Sequence, residues 1–184
     1  MKSRVALVLI SVVIIAACVY VFFSKDSLEQ IPATLQVKSD AFANDGAIPA
    51  KYTGRGQDVS PPLAIANLSP GAKSIAIIME DRTMNGFIHW LAWNIPVNMA
   101  SIPEGVPKEK KVAALGGALQ GTNSLGQIGY NGPAPMMGTN QYNISVYAID
   151  KMLSIEPGVD ARTLRTAMRG HVLQYGALIG DFGD

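Results

Sequence analysis

Hydrophobic and polar positions divide this chain into one long apolar block, several short runs with strand periodicity, and a wide stretch with no period. Val5 to Phe23 contains 19 residues and no charge. As a helix it would reach about 28 Å, close to the hydrocarbon thickness of a bilayer, so it predicts a membrane segment. Ser24 to Ala33 is polar, contains Pro32 and shows no periodicity, as a short tether would. Leu35 and Val37 then alternate with Gln36 and Lys38, the pattern of an edge strand, and Asp45-Gly46 marks a turn before Ile48 to Thr53.

The run from Ile75 to Met79 is wholly apolar and predicts a strand covered on both faces, and His89 to Ile95 predicts another. The polar stretch between them reads as a loop that brings Glu80, Asp81 and Arg82 to the end of the first strand, while His89 opens the second. A charged cluster and an imidazole at the rim of an apolar sheet make a small polar pocket. Tyr142 to Asp150 predicts a half-buried strand, with Tyr142, Ile144, Val146 and Ala148 on one face and Asn143, Ser145 and Tyr147 on the other. Asp160 is placed to cap a helix in which Leu164, Ala167, Met168, His171, Val172 and Tyr175 recur at helical spacing, with a last short strand at Ala177 to Ile179. On that reading His171 is a packed, hydrogen-bonded residue of the apolar helix face.

From Pro96 to Gly138 the pattern is lost. Gly116, Gly117, Gly121, Gly126, Gly129 and Gly132 are interleaved with Pro103, Pro107, Pro133 and Pro135. Such glycines offer backbone N–H groups to an anion, or merely turn corners in a β-rich fold, and local chemistry leaves both open. The Gly-Lys-Ser/Thr ending of a nucleotide-phosphate loop is absent.

Composition narrows the classes. With 184 residues, 48% hydrophobic and 16% charged, the chain is too apolar for disorder and has room for one good core. The net charge is +1, and with Lys2 and Arg4 set aside the remainder carries −1, so no basic field exists to attract nucleic acid. Lys2 and Arg4 flank the apolar block as a retained cytoplasmic end would, which places the domain outside the cytoplasm. The single cysteine, Cys18, lies inside that block, so the domain has no disulfide and cannot assemble a Cys/His zinc site. No metal or cofactor is expected. Ile15-Ala16-Ala17-Cys18 looks like a bacterial lipobox, which would make Cys18 the lipid-bearing residue, whereas Val19 to Phe23 prolongs the block as an uncleaved helix requires.

Val59-Ser60-Pro61-Pro62-Leu63, the apolar strand with its acidic end, and His89-Trp90 with Trp93-Asn94-Ile95-Pro96 occur in that order. Pro103-Glu104-Gly105-Val106, Gln120-Gly121-Thr122-Asn123 and Gly129-Tyr130-Asn131-Gly132-Pro133-Ala134-Pro135 follow, then Val146-Tyr147-Ala148 and Gly170-His171-Val172-Leu173. The ordered set, from Leu35 to Phe182, resembles the phosphatidylethanolamine-binding protein family in its bacterial branch, the Raf kinase inhibitor-like proteins. The resemblance implies a mainly β fold, an antiparallel Greek-key β-sandwich with a C-terminal helix. It also implies one small pocket for a phosphate-like anion or phospholipid head group. Carried over by position, His89 is the pocket histidine, Gly132 and Pro133 the closing loop, and Tyr142 the pocket tyrosine. Glu80 takes the place of the first acid of the family's Asp-Pro-Asp-Ala-Pro motif, which continues here as Asp81, Arg82, Thr83 and Met84. Asn140 stands where a second pocket histidine is expected.

The chain thus divides into residues 1–23 as membrane anchor or lipoprotein signal, 24–34 as tether and 35–184 as the family domain. The first functional reading is a membrane-tethered binding protein, not an enzyme, whose ligand is held by Glu80, Arg82, His89, Gly132, Pro133, Asn140 and Tyr142. The alternative is an inhibitor or interaction module for a kinase-like or protease-like protein partner. A hydrolase with Ser60 as nucleophile and His89 as base lacks any framing motif.

Overall fold

Two neighbouring strands, built from the apolar runs that begin at Ile75 and end at Ile95, form the centre of the described domain. The computed structural model describes residues 31–184. It contains ten strands among those residues: β1 (Gln36–Lys38), β2 (Gly46–Ala47), β3 (Leu63–Ala66), β4 (Ser74–Asp81), β5 (Phe87–Pro96), β6 (Ser101–Ile102), β7 (Lys111–Val112), β8 (Ala118–Gln120), β9 (Thr139–Ile149) and β10 (Val172–Gly183). One helix, α1 (Ala161–Met168), precedes the last strand. The fold is mainly β with one helix near the C-terminus. The anchor, signal and lipidation readings, Cys18 included, fall outside the described residues, within which no helix is long and apolar enough to cross a membrane.

A seven-stranded sheet runs in the order β2-β10-β9-β4-β5-β8-β7, and a three-stranded sheet in the order β1-β3-β6. All pairings are antiparallel except β2 with β10. Strand alternation gives the large sheet two apolar faces. Ile75, Ile77, Met79, Trp90, Ile144 and Val146 pack with Val37, Leu63, Ile65 and Ile102 of the small sheet. Ala76, Ile78, Leu91, Trp93 and Ile149 pack on the other side with Leu164 and Met168 of α1. The unbroken run in β4 is explained by this: both of its faces are covered.

Three expectations change. Glu80 and Asp81 belong to β4 and not to the loop, because both still pair with β9 opposite Asn143 and Tyr142. The helix stops at Met168, since Gly170 takes a left-handed φ of +74° and turns the chain into β10. Val172 and Tyr175 therefore lie on a strand of 12 residues. His171 sits in the turn, half-exposed, with its Nδ1 3.0 Å from Asp150 Oδ1. The stretch from Pro96 to Gly138 also holds β6, β7 and β8, strands of two or three residues that are too short to show a period.

Candidate functional site

At the end of the large sheet where β4 finishes and β9 begins, the residues on one face stop being apolar. Asp81 is paired across β4 and β9 with Tyr142, and across β4 and β5 with Phe87, so these three side chains share a face. Glu80 pairs with Ile88 and Asn143 and faces α1 instead. His89 joins the first group through an irregularity. Met79 pairs with Trp90 and Glu80 with Ile88, which leaves His89 as an extra residue in β5. A β-bulge of this kind re-aims one side chain without breaking the ladder. It lets Trp90 keep its place in the core while His89 turns to the rim.

These residues form the base of a cavity of about 190 Å³, lined also by Met84, Leu125, Asn131, Gly132, Ala134, Pro135 and Met136. His89 is 5% exposed and Asp81 only 1%. The imidazole is flanked by two rings, Phe87 at a centroid distance of 5.1 Å and Tyr142 edge-on at 5.2 Å. Asn131 fixes it from the loop: its backbone N–H donates to the His89 carbonyl at 2.9 Å, and its carbonyl accepts from His89 Nδ1 at 2.7 Å. Nδ1 therefore carries a proton, and Nε2 is left for a ligand. Burial holds the His89 pKa below its ordinary 6.5, against the upward pull of the Asn131 carbonyl and of the Asp81 and Asp58 charges. The resting ring is neutral near pH 7.

Asp81 is held as firmly. One carboxylate oxygen accepts from the backbone N–H groups of Thr83 and Met84 at 2.7 and 3.0 Å, and the other accepts from Asn140 Nδ2 at 2.7 Å. Burial and then the Asp81 charge push the Tyr142 phenol well above its ordinary value of 10, so it stays a neutral hydrogen-bonding group.

The loop that closes the cavity is positioned by the turn at Thr53–Asp58. Gly54 N–H donates to the Pro133 carbonyl at 2.9 Å, Arg55 donates to the Pro135 carbonyl at 2.5 Å, and Asp58 Oδ1 accepts from Gly132 N–H at 2.6 Å. Gly132 has to be glycine, because a Cβ there would lie 2.6 Å from the Thr53 backbone.

Of the residues expected at the site, the structure brings His89, Gly132 and Tyr142 together on the cavity wall. Asn140 lies behind it as the partner of Asp81, and Pro133 contributes its carbonyl to Gly54. Glu80 is on the opposite face, where its carboxylate accepts from Arg165 at 2.5 Å. Arg82 is exposed and donates to Gln141 at 2.9 Å. The acid at the cavity is Asp81, one residue beyond the assigned position, and strand parity decides it. Ser60 is buried, and its hydroxyl accepts from Val106 N–H. Sequence reasoning missed Asn131, Asp58 and Phe87 as functional parts; the only local signals were the glycine–proline loop and the turn before Ser60.

Comparison with known proteins now decides the relationship. The profile of the phosphatidylethanolamine-binding protein family matches residues 38–183. The chain belongs to this family. It is 43% identical over 185 residues to a UPF0098 protein of Pyrococcus horikoshii, covering 98% of this chain and 89% of that one. A UPF0098 protein of Pyrococcus abyssi is 46% identical over 146 residues, covering 77% of this chain and 82% of its own length. These names state no enzymatic activity. Among solved structures, a phosphatidylethanolamine-binding protein homologue from Chlamydia trachomatis aligns with a TM-score of 0.74 at 33% identity, over 83% of this chain and 99% of that one. YbcL of E. coli aligns with a TM-score of 0.75 at 21% identity, over 83% of this chain and 99% of its own, and supports the fold alone.

Proposed function

We propose that this family member is a binding protein for a small phosphate-like anion, free or as the head group of a phospholipid. On this reading residues 1–23 hold it at the membrane with its domain outside the cytoplasm. The observation that carries the ligand reading is the buried His89, fixed through Nδ1 and free at Nε2, beside Tyr142 at the base of a solvent-open cavity. A phosphate monoanion donates its own O–H to Nε2 or passes the proton to it, and the resulting imidazolium–phosphate pair is a charge-assisted contact. Asp81 then faces any ammonium that accompanies the phosphate. The tether reading is supported by the uncharged run Val5 to Phe23 and its basic flank.

The test is calorimetric titration of the full chain with inorganic phosphate and with a short-chain phosphoethanolamine lipid, across pH. Imidazolium is the tighter-binding form and the free ring has a lowered pKa. Affinity should therefore rise as pH falls through the bound-state pKa and level off below the free-state one. His89→Ala should abolish the rise. Equal binding by parent and variant at every pH would remove the proposal.

The interaction-module reading is favoured by one observation, the exposure of Met136 on the cavity wall and of Met137 next to it in the chain. A protein partner whose capture survives substitution of His89 and Arg82 but not of Met136 would support it.

A further inference from the structure

The mouth of the cavity carries a chemistry that an anion does not use. Among the described residues five large apolar side chains are exposed: Met84, Leu125, Met136, Met137 and Met152. Met84, Leu125 and Met136 line the cavity, and Met137 follows directly in the chain. Apolar contact requires only area, which leucine or isoleucine would supply. Three of these four residues share a thioether sulfur, which is a soft metal ligand.

His89 completes the donor set. An imidazole that donates Nδ1–H to a backbone carbonyl presents Nε2 in the orientation and tautomer that metal-bound histidines adopt. Asp81, almost wholly buried in the same wall, makes the surroundings favourable to a cation. Two neutral thioethers and one imidazole suit a soft monovalent ion, and cuprous ion is the physiological metal of that class. Among the described residues no group of three His, Cys, Asp or Glu side chains is placed to hold a metal ion. Methionine is unbranched, and at 52% and 93% exposure Met84 and Met136 can turn onto a metal with little loss of packing.

We infer that the cavity binds one cuprous ion through Met84, His89 and Met136. The site shares its cavity with the anion proposed above but does not rest on that reading.

The experiment is anaerobic competition of the full chain against a chromophoric cuprous chelator, with X-ray absorption at the copper edge to count sulfur neighbours. The parent should take up one equivalent with sulfur in the first shell. Losing a second-shell partner of a metal ligand costs about tenfold to a hundredfold in affinity. Losing a thioether ligand itself should therefore weaken binding by at least about tenfold in Met84→Leu and in Met136→Leu. Leucine keeps the apolar area and removes only the sulfur, so a rim that serves apolar contact alone predicts no change. Failure of the parent to compete with the chelator would overturn the inference, as would undiminished binding by the double leucine variant. Phosphate titration of that double variant separates the two ideas: it should match the parent, since neither methionine contacts the anion through a donor. A parent chain that binds cuprous ion but gives no phosphate titration would sink the anion reading alone.

Discussion

A neutral histidine beside a buried carboxylate makes the free protein sensitive to acid. His89 has a folded-state pKa below the 6.5 of an exposed imidazole, so between those two values the unfolded chain binds the extra proton. The contribution of the neutral ring is fully present above about pH 6.5 and is lost as pH falls toward the folded-state pKa. His89→Gln should flatten that part of the stability–pH profile, measured by denaturant unfolding between pH 7.5 and 4.5. Its neighbours on β4 divide more sharply. Asp81→Asn strips one acceptor from a buried carboxylate that satisfies three donors, one of them the buried Asn140 amide, and should cost about 1–3 kcal/mol. Glu80→Gln loses only a part-exposed pair with Arg165, worth about 0–1 kcal/mol, and should leave phosphate titration at the cavity unchanged. Two adjacent acids are equivalent in composition, and only the parity of the strand separates them. That parity could not be set from the sequence, because the run Ile75 to Met79 is apolar at every position and carries no alternation to fix a face.

Among the elements, the cavity depends on a bulge and on two loops that grip each other. The bulge at His89 follows from the pairing of β4 with β5, which no local pattern announces. The Thr53–Asp58 turn carries no periodicity or motif of its own in the sequence. Its role appears once Asp58 is seen to accept from Gly132 N–H and to pair with Lys108. Asp58→Ala should leave the Gly132 amide without its partner, lower stability by about 1–3 kcal/mol and weaken phosphate binding by loosening the closing loop. Thermal unfolding and calorimetry check the two parts separately. The helix was legible at its start, where Asp160 accepts from Thr163 N–H at 2.8 Å as a cap should. Its end was not, because Val172 and Tyr175 continue a helical spacing that serves equally well along β10.

For the molecule as a whole, the tether proposed for residues 1–23 would set where the cavity works. If residues 1–23 anchor the chain as proposed, the full chain should remain with the membrane fraction after a high-salt wash. Radiolabelled palmitate then separates the two anchors: label that disappears in Cys18→Ala marks a lipoprotein, and membrane retention without label marks an uncleaved helix. The mainly β class and the positions of β1, β4, β5 and β9 were present in the order of residues through local periodicity, and the family, with His89, Gly132 and Tyr142 as cavity residues, through motifs that sit beside recognisable neighbours. Which acid faces the cavity, which way His89 points, what holds Gly132 and how the methionines gather at one mouth depend on strand pairing and on loops brought together from distant positions. Those are properties of register and closure, and they arise only when β4, β5 and β9 meet in the folded sheet.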